Sequence, residues 1–244
     1  MQILTDLHVH TIASAHAYST LYENICAAKE KGLELIAISD HAPSMPDAPH
    51  EWHFVGTDNI PRCYKGIKVL CGAELNIINK KGKIDLPEWI LHKRTDFVIA
   101  SIHDPTYKEK QGGDHTETWL NIIKNPYIDI LGHSGSPNYS YDIDVVVSAA
   151  KEADVCIEIN NHSFDARPQN IERCREIALA CKRLGAKIVV NSDAHFMSQV
   201  GEVGKAVKML EEIDFPEELI MNLNAEKFIR YIEKKKNKKI NFGE

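Results

Sequence analysis

The sequence predicts a single-domain α/β protein folded as a distorted (β/α)7 barrel, and three observations predict it. Seven short, β-rich apolar stretches alternate with longer helical patterns along 244 residues, with no break in composition between them. Ile36-Ala37-Ile38, Phe97-Val98-Ile99-Ala100 and Ile188-Val189-Val190 are apolar without alternation, as parallel strands covered on both faces are. Nearly every stretch then ends in His, Asp or Glu. An open doubly wound sheet gathers such groups from a few strand ends at its switch point, whereas a barrel brings all of them to one mouth.

The first strand is expected over residues 3–8, and Leu21–Lys31 reads as a helix stopped by Gly32. Strands follow at 34–39 and 67–73. Between them Pro43–Pro61 carries four prolines, which predicts a long loop over the mouth. Strands at 96–102, 128–132, 155–160 and 187–192 complete the set. Helices are expected at Ile143–Ala153 behind Asp142, and at Pro168–Leu184 ahead of Gly185. After the last strand only helical patterns remain, at 201–212, 216–222 and 225–237, so no eighth strand is expected. The charge run Glu233–Lys239 reads as a solvated, frayed helix end.

Hydrophobic residues make up 43% and charged residues 26%, an ordinary globular balance. A net charge of −6 argues against a nucleic-acid partner or an anionic membrane surface. No apolar run approaches the ~20 residues that span a bilayer. Met1–Asp6 enters a strand without signal-peptide anatomy. The six cysteines lack CxxC spacing and several sit in apolar runs, as reduced thiols of a cytoplasmic protein do. Nothing in the sequence marks an oligomeric state.

Residues i and i+2 of a strand face the same way, so His8 and His10 project toward one site. Asp193 and His195 repeat that spacing at the last strand, which neighbours the first in a barrel. His41, Glu74, His103 and His133 end the strands between them, and His16 reaches back from the first loop. An HxH or DxH alone occurs on ordinary solvated faces; the whole series in barrel order is not what packing needs produce. Mostly imidazole with a minority of carboxylate suits zinc, manganese or iron rather than the oxygen cage of magnesium or calcium. Asp40 is expected either to orient an imidazole or to cap its loop, and Asp6 is open in the same way. His50, His53, His92 and His115 fall off the pattern. The sixth strand, Glu158-Ile159-Asn160-Asn161, lacks a strong ligand at its end, which directs the search for substrate contacts to Asn161 and Arg167.

Taken together, Asp6-Leu7-His8-Val9-His10-Thr11, Ser39-Asp40-His41, Gly72-Ala73-Glu74, Ile102-His103, Gly132-His133 and Asn191-Ser192-Asp193-Ala194-His195 resemble the PHP (polymerase and histidinol phosphatase) family. The short chain and the Glu158–Asn161 stretch look closest to its small stand-alone bacterial phosphatases. The resemblance implies a TIM-barrel-like fold with a trinuclear metal site. One ion would take His8, His10, Glu74 and Asp193; a second would share Glu74 and add His103 and His133; the third would take His16, His41 and His195. That many ligands are too numerous for two ions that keep open positions.

Three divalent ions and two carboxylates leave a residual charge of about four, which favours a dianionic phosphate monoester. The expected chemistry is in-line attack on phosphorus by a metal-activated hydroxide, with no protein nucleophile. Zinc is the expected metal, with manganese or iron also fitting. Arg167 is expected to contact a phosphate oxygen or else to pair with Asp165, and His162 to act on the leaving group or to be solvated. The expected function is therefore a phosphoric monoester hydrolase acting on a small phosphorylated substrate. Histidinol phosphatase is the nearest alternative. A 3'-5' exonuclease sits badly with the acidic balance, an amidohydrolase-type hydrolase wants a metal-bridging lysine, and a non-catalytic metal module wants closed coordination.

Overall fold

Strands and helices alternate from the start, as β1 (Thr5–Asp6), α1 (Leu21–Glu30), β2 (Leu35–Ile38), α2 (Trp52–Val55), β3 (Cys63–Tyr64), β4 (Ile67–Cys71) and β5 (Glu74–Asn76). They continue as α3 (Glu88–Lys93), β6 (Ile99–Ser101), α4 (Thr116–Ile123), β7 (Ile130–Leu131), α5 (Ile143–Glu152) and β8 (Cys156–Asn160). The last third holds α6 (Ser163–Ala166), α7 (Ile171–Leu184), β9 (Ile188–Asn191), α8 (Gly204–Glu212) and α9 (Ala225–Lys236). The computed structural model describes residues 1–166 and 168–243.

One sheet runs β1-β2-β4 in parallel, with β3 antiparallel on its outer edge; the other runs β5 to β9, all parallel. Single bridges join the sheets at both seams, His41 to Glu74 and Val9 to Ala194. β4 and β5 are two halves of one stave, interrupted at Gly72-Ala73. The carbonyls of Cys71 and Ala73 accept from Asp96 and Ile99 at 2.7 and 3.0 Å, which ties both halves to the β6 segment. The architecture is α/β and TIM-barrel-like, with parallel staves whose ends gather at one mouth.

Strand alternation separates two apolar layers. Phe97, Ile99, Ile130, Cys156 and Val189 join Leu7, Leu35 and Leu70 inside the ring. Val98, Ala100, Leu131, Ile157 and Ile188 pack outward with Trp119, Val146 and Ile177 of the helices. Helix α9 adds Phe228 and Tyr231 to the inner layer, and the Phe228 ring meets Phe97 edge-on at 5.6 Å. A Cβ on Gly72 would lie 2.6 Å from the Phe97 ring, so the break in the third stave requires glycine.

Three expectations are corrected. The helix expected at 216–222 is only a 3-10 turn, Glu217–Leu219, and Ile220 bridges Ile188 instead. Met221 N–H donates to Ile188 O at 2.9 Å, and Leu4 N–H to Leu223 O at 2.8 Å, so 220–223 fills the splayed lower seam as a short partial eighth stave. The Pro43–Pro61 loop contains α2 and a 3-10 turn, Gly56–Asn59. Finally, the basic tail is not merely solvated. Lys236 pairs with fully buried Asp129 at 2.8 Å, and Lys235 Nζ donates to the carbonyls of Ile128 and Asp154 at 2.8 Å. Among the described residues no helix is long and apolar enough to cross a membrane.

Candidate metal centre

Glu74, at the start of β5, is the hub of the mouth and is 0% exposed. Its Oε1 lies 2.9 Å from His133 Nε2, 3.2 Å from His103 Nε2 and 3.3 Å from His8 Nε2. Its Oε2 lies 2.8 Å from His41 Nδ1 and 3.6 Å from His10 Nε2. Asp193 Oδ1 faces His10 Nε2 at 3.2 Å and His8 Nε2 at 3.5 Å. His16 Nε2 approaches His41 Nε2 at 3.2 Å, and its ring stacks on His195 at 4.9 Å. All the expected ligand side chains thus meet at one place.

The atoms fit a cation better than they fit one another. Among the described residues, His8 Nε2, both ring nitrogens of His10, His41 Nδ1, His103 Nε2 and Glu74 Oε2 are buried without an aligned hydrogen bond, although His41 Nδ1 and Glu74 Oε2 lie 2.8 Å apart. Buried polar atoms are otherwise almost always hydrogen-bonded, and leaving them bare costs about 1–3 kcal/mol each. Three sets offer ligand atoms within 4.8 Å of one another: His8, His10 and Asp193; His41, Glu74 and His103; His10, His41 and His195. His10 and His41 each belong to two sets, so neighbouring sites would lie close together.

Electrostatics agree with the geometry. Burial opposes charge on Glu74, but His8, His103 and His41 outweigh it and hold the carboxyl well below its usual range. Burial likewise opposes charge on His8, yet Glu158, Glu74 and Asp193 together push its pKa well above the ordinary value. That is a place where positive charge is stabilised. Burial, with His41 and His195 alongside, pushes His10 down to about 3, so it is neutral and one ring nitrogen presents a lone pair.

The rings are held from behind. Glu158 Oε1 takes His8 Nδ1 at 2.8 Å, Asn76 Oδ1 takes His103 Nδ1 at 2.7 Å, and Asp47 Oδ2 takes His16 Nδ1 at 2.7 Å. Such partners fix the tautomer and the direction of the inward nitrogen. His195 Nδ1 instead bonds to Asp193 O at 2.9 Å. The DxH spacing expected to continue a strand does not: β9 ends at Asn191, and Asp193 is left-handed with φ 58°. His133, with φ 24°, also has positive φ, as do four non-glycine residues at turns away from the site, Lys65, Asp154, Asp214 and Asn237. Backbone of this kind costs about 1–3 kcal/mol and clusters at functional sites.

A family model for the PHP domain matches residues 6–162. The chain belongs to the PHP domain family. A probable phosphatase of Acetivibrio thermocellus is 46% identical over 238 residues, covering 98% of each chain. A probable phosphatase of Clostridium acetobutylicum is 44% identical over 244 residues, 100% of this chain and 99% of the relative. Among solved structures, the histidinol phosphate phosphatase of Lactococcus lactis, complexed with zinc, L-histidinol and phosphate, is similar with a TM-score of 0.67 at 20% identity. That likeness covers 88% of this chain and 95% of the other, and it shows the fold.

Several side chains of this PHP domain do other work than expected. Glu158, passed over in the sixth strand, is 3% exposed and also accepts from His133 N–H at 2.8 Å and Asn191 Nδ2 at 2.9 Å. An acidic residue between two isoleucines of a wholly buried strand was the available signal. Asn161, expected to touch substrate, caps α8: its Oδ1 accepts from Lys205 and Ala206 N–H, each at 3.0 Å. Asp40 pins the first loop through Thr11 and Ser14, and receives His53 Nε2 at 2.9 Å, so it orients no expected ligand ring. Asp6 ties the two ends of the ring by accepting from Ser192 and Gly201. His115 is buried and bonded to Tyr107 Oη at 3.1 Å, while His162 stacks on His195 at 6.0 Å. Arg167, the expected phosphate contact, lies outside the described residues.

Proposed function

We propose that the mouth of this PHP domain holds three divalent metal ions, zinc foremost with manganese or iron also fitting, and hydrolyses a small phosphomonoester. The carrying observation is the set of buried, unpartnered imidazole and carboxylate atoms converging on Glu74 and Asp193. His8, His10, Glu74 and Asp193 would hold one ion, Glu74 with His103 and His133 a second, and His16, His41 and His195 the third. When bound, the ions supply Lewis acidity toward phosphoryl oxygens and acidify water.

The chain's own residues do the positioning. Glu74 stands within 3.6 Å of imidazoles from four different strand ends, which keeps the sites close. Glu158 turns the His8 ring so that Nε2 faces Glu74 and Asp193. With two carboxylates among the proposed ligands, the loaded mouth is net positive and selects a dianion. The phosphatase relatives at 44–46% identity support the reaction class. The net charge of −6 supports a small substrate over nucleic acid. The same reading takes the chain as one domain working in the cytoplasm.

The test is a loaded-protein assay with zinc or manganese on 4-nitrophenyl phosphate, histidinol phosphate, single-stranded DNA and a cyclic amide, with metal content measured in parallel. Hydrolysis of a phosphomonoester with roughly three ions bound per chain is the expected result. Inertness toward both phosphomonoesters, alongside a strong signal on the amide, would sink the proposal.

A further inference from the structure

Beside the cluster opens a cavity of about 340 Å³, lined by His103 and His133 of the cluster and by Asp104, Asn138, Tyr139 and Asn170. That volume lies at the small end of ligand pockets, which run roughly 300–1,000 Å³. Asn170 is the informative residue. It is 1% exposed, and neither its Oδ1 nor its Nδ2 has a hydrogen-bond partner among the described residues. It ends the 3-10 turn Pro168–Asn170 with helical backbone, φ −86° and ψ −16°, so its side chain is not spent on capping α7. A buried amide with no hydrogen bond among the described residues, on the wall of a cavity that adjoins the reacting centre, is a group for a ligand to satisfy.

The rest of the wall says what kind of ligand. The Tyr139 hydroxyl donates to Asp104 Oδ1 at 2.7 Å, which fixes that carboxylate beside the opening. No lysine or arginine is among the described residues that line the cavity. A hydroxyl both donates and accepts, and so matches a carboxamide that does both and a carboxylate that only accepts. A second phosphate or carboxylate on the ligand would meet the Asp104 carboxylate.

We propose that this cavity receives the alcohol part of the substrate, and that it is built for an uncharged, hydroxylated leaving group of sugar-like size read by Asn170 and Asp104. The assignment rests on the phosphatase reading above. The metal-loaded protein is assayed on 4-nitrophenyl phosphate, glucose 6-phosphate, O-phosphoethanolamine and fructose 1,6-bisphosphate. Asn170→Ala should lower kcat/KM for glucose 6-phosphate roughly tenfold more than for 4-nitrophenyl phosphate, mainly through KM. Asp104→Asn should raise kcat/KM for the bisphosphate relative to glucose 6-phosphate. Equal losses on the sugar and aryl esters, as a purely structural Asn170 would produce, would overturn the assignment. So would a wild-type preference for O-phosphoethanolamine, which would mark the cavity as a cation site. Wild-type protein with bound metal that is inert toward every ester would instead bring down the phosphatase reading, and the cavity's role with it.

Discussion

Glu158→Gln is the sharpest probe of the centre, because it changes charge without changing size. In the native arrangement Oε1 serves His8 Nδ1 at 2.8 Å and Asn191 Nδ2 at 2.9 Å, while Oε2 serves His133 N–H at 2.8 Å and Asn160 Nδ2 at 3.1 Å. A carboxylate accepts all of these. A carboxamide has one accepting oxygen, and its NH2 must face either the His8 and Asn191 side or the His133 and Asn160 side. In both orientations backbone or side-chain donors meet a donor in a fully buried place. Losing a carboxylate behind a ligand imidazole lowers metal affinity or activity by roughly 10–100-fold. That is about 1.4–2.7 kcal/mol at 1.36 kcal/mol per tenfold. The buried mismatch should cost folding stability about 1–3 kcal/mol in addition. Metal-buffered titration with elemental analysis reads the first effect, denaturant unfolding of the metal-free protein the second, and kcat/KM the consequence. Metal affinity within twofold of wild type in a folded variant would refute the argument that Glu158 sets the direction of His8.

Other consequences are equally specific. Glu74→Ala and His103→Ala should abolish activity and reduce bound metal while circular dichroism stays native; unchanged metal content would remove them from the ligand set. Chelation should lower the thermal midpoint and re-addition restore it, since ligand at 1,000 times its dissociation constant is worth about 4.1 kcal/mol. Gly72→Ala puts a Cβ where the Phe97 ring lies 2.6 Å away and should destabilise by about 1–3 kcal/mol. Adding Phe97→Leu should recover part of that loss, and a neutral Gly72→Ala would show the ring is not the constraint. Glu23, in the capping box of α1, is held below its usual range by the Thr20 N–H and hydroxyl. Its folded pKa is depressed, so its contribution is present above the ordinary value of 4.5 and is lost as pH falls through the folded value. The stability gap between wild type and Glu23→Gln should therefore close in strong acid, as followed by thermal melts across pH.

The metal-type residues were legible because they carry their chemistry in their side chains and sit at the ends of apolar runs whose length marks strands. His8, His10, Glu74, His103 and His133 needed only that local pattern. Glu158 did not yield to it, because its partner His8 is 150 positions away and nothing local says which carboxylate oxygen faces which ring. Asn161 misled for the same reason: at a strand end it resembles a pocket residue, but Lys205 and Ala206 lie 44 and 45 positions on. The four-residue stretch 220–223 is too short for its period to show, and the gap it fills exists only once β1 and β9 are splayed.

Residue chemistry and periodicity along the chain therefore settle the class of fold and the inventory of groups at its mouth, since both are properties of neighbours in sequence. How those groups divide is decided in three dimensions. The left-handed turn at Asp193, the carboxylate behind His8 and the Asn170 amide, unbonded among the described residues, all depend on which distant atoms meet. A hydrogen bond is made or missed over a few tenths of an ångström, and strand patterning sets positions only to within a residue.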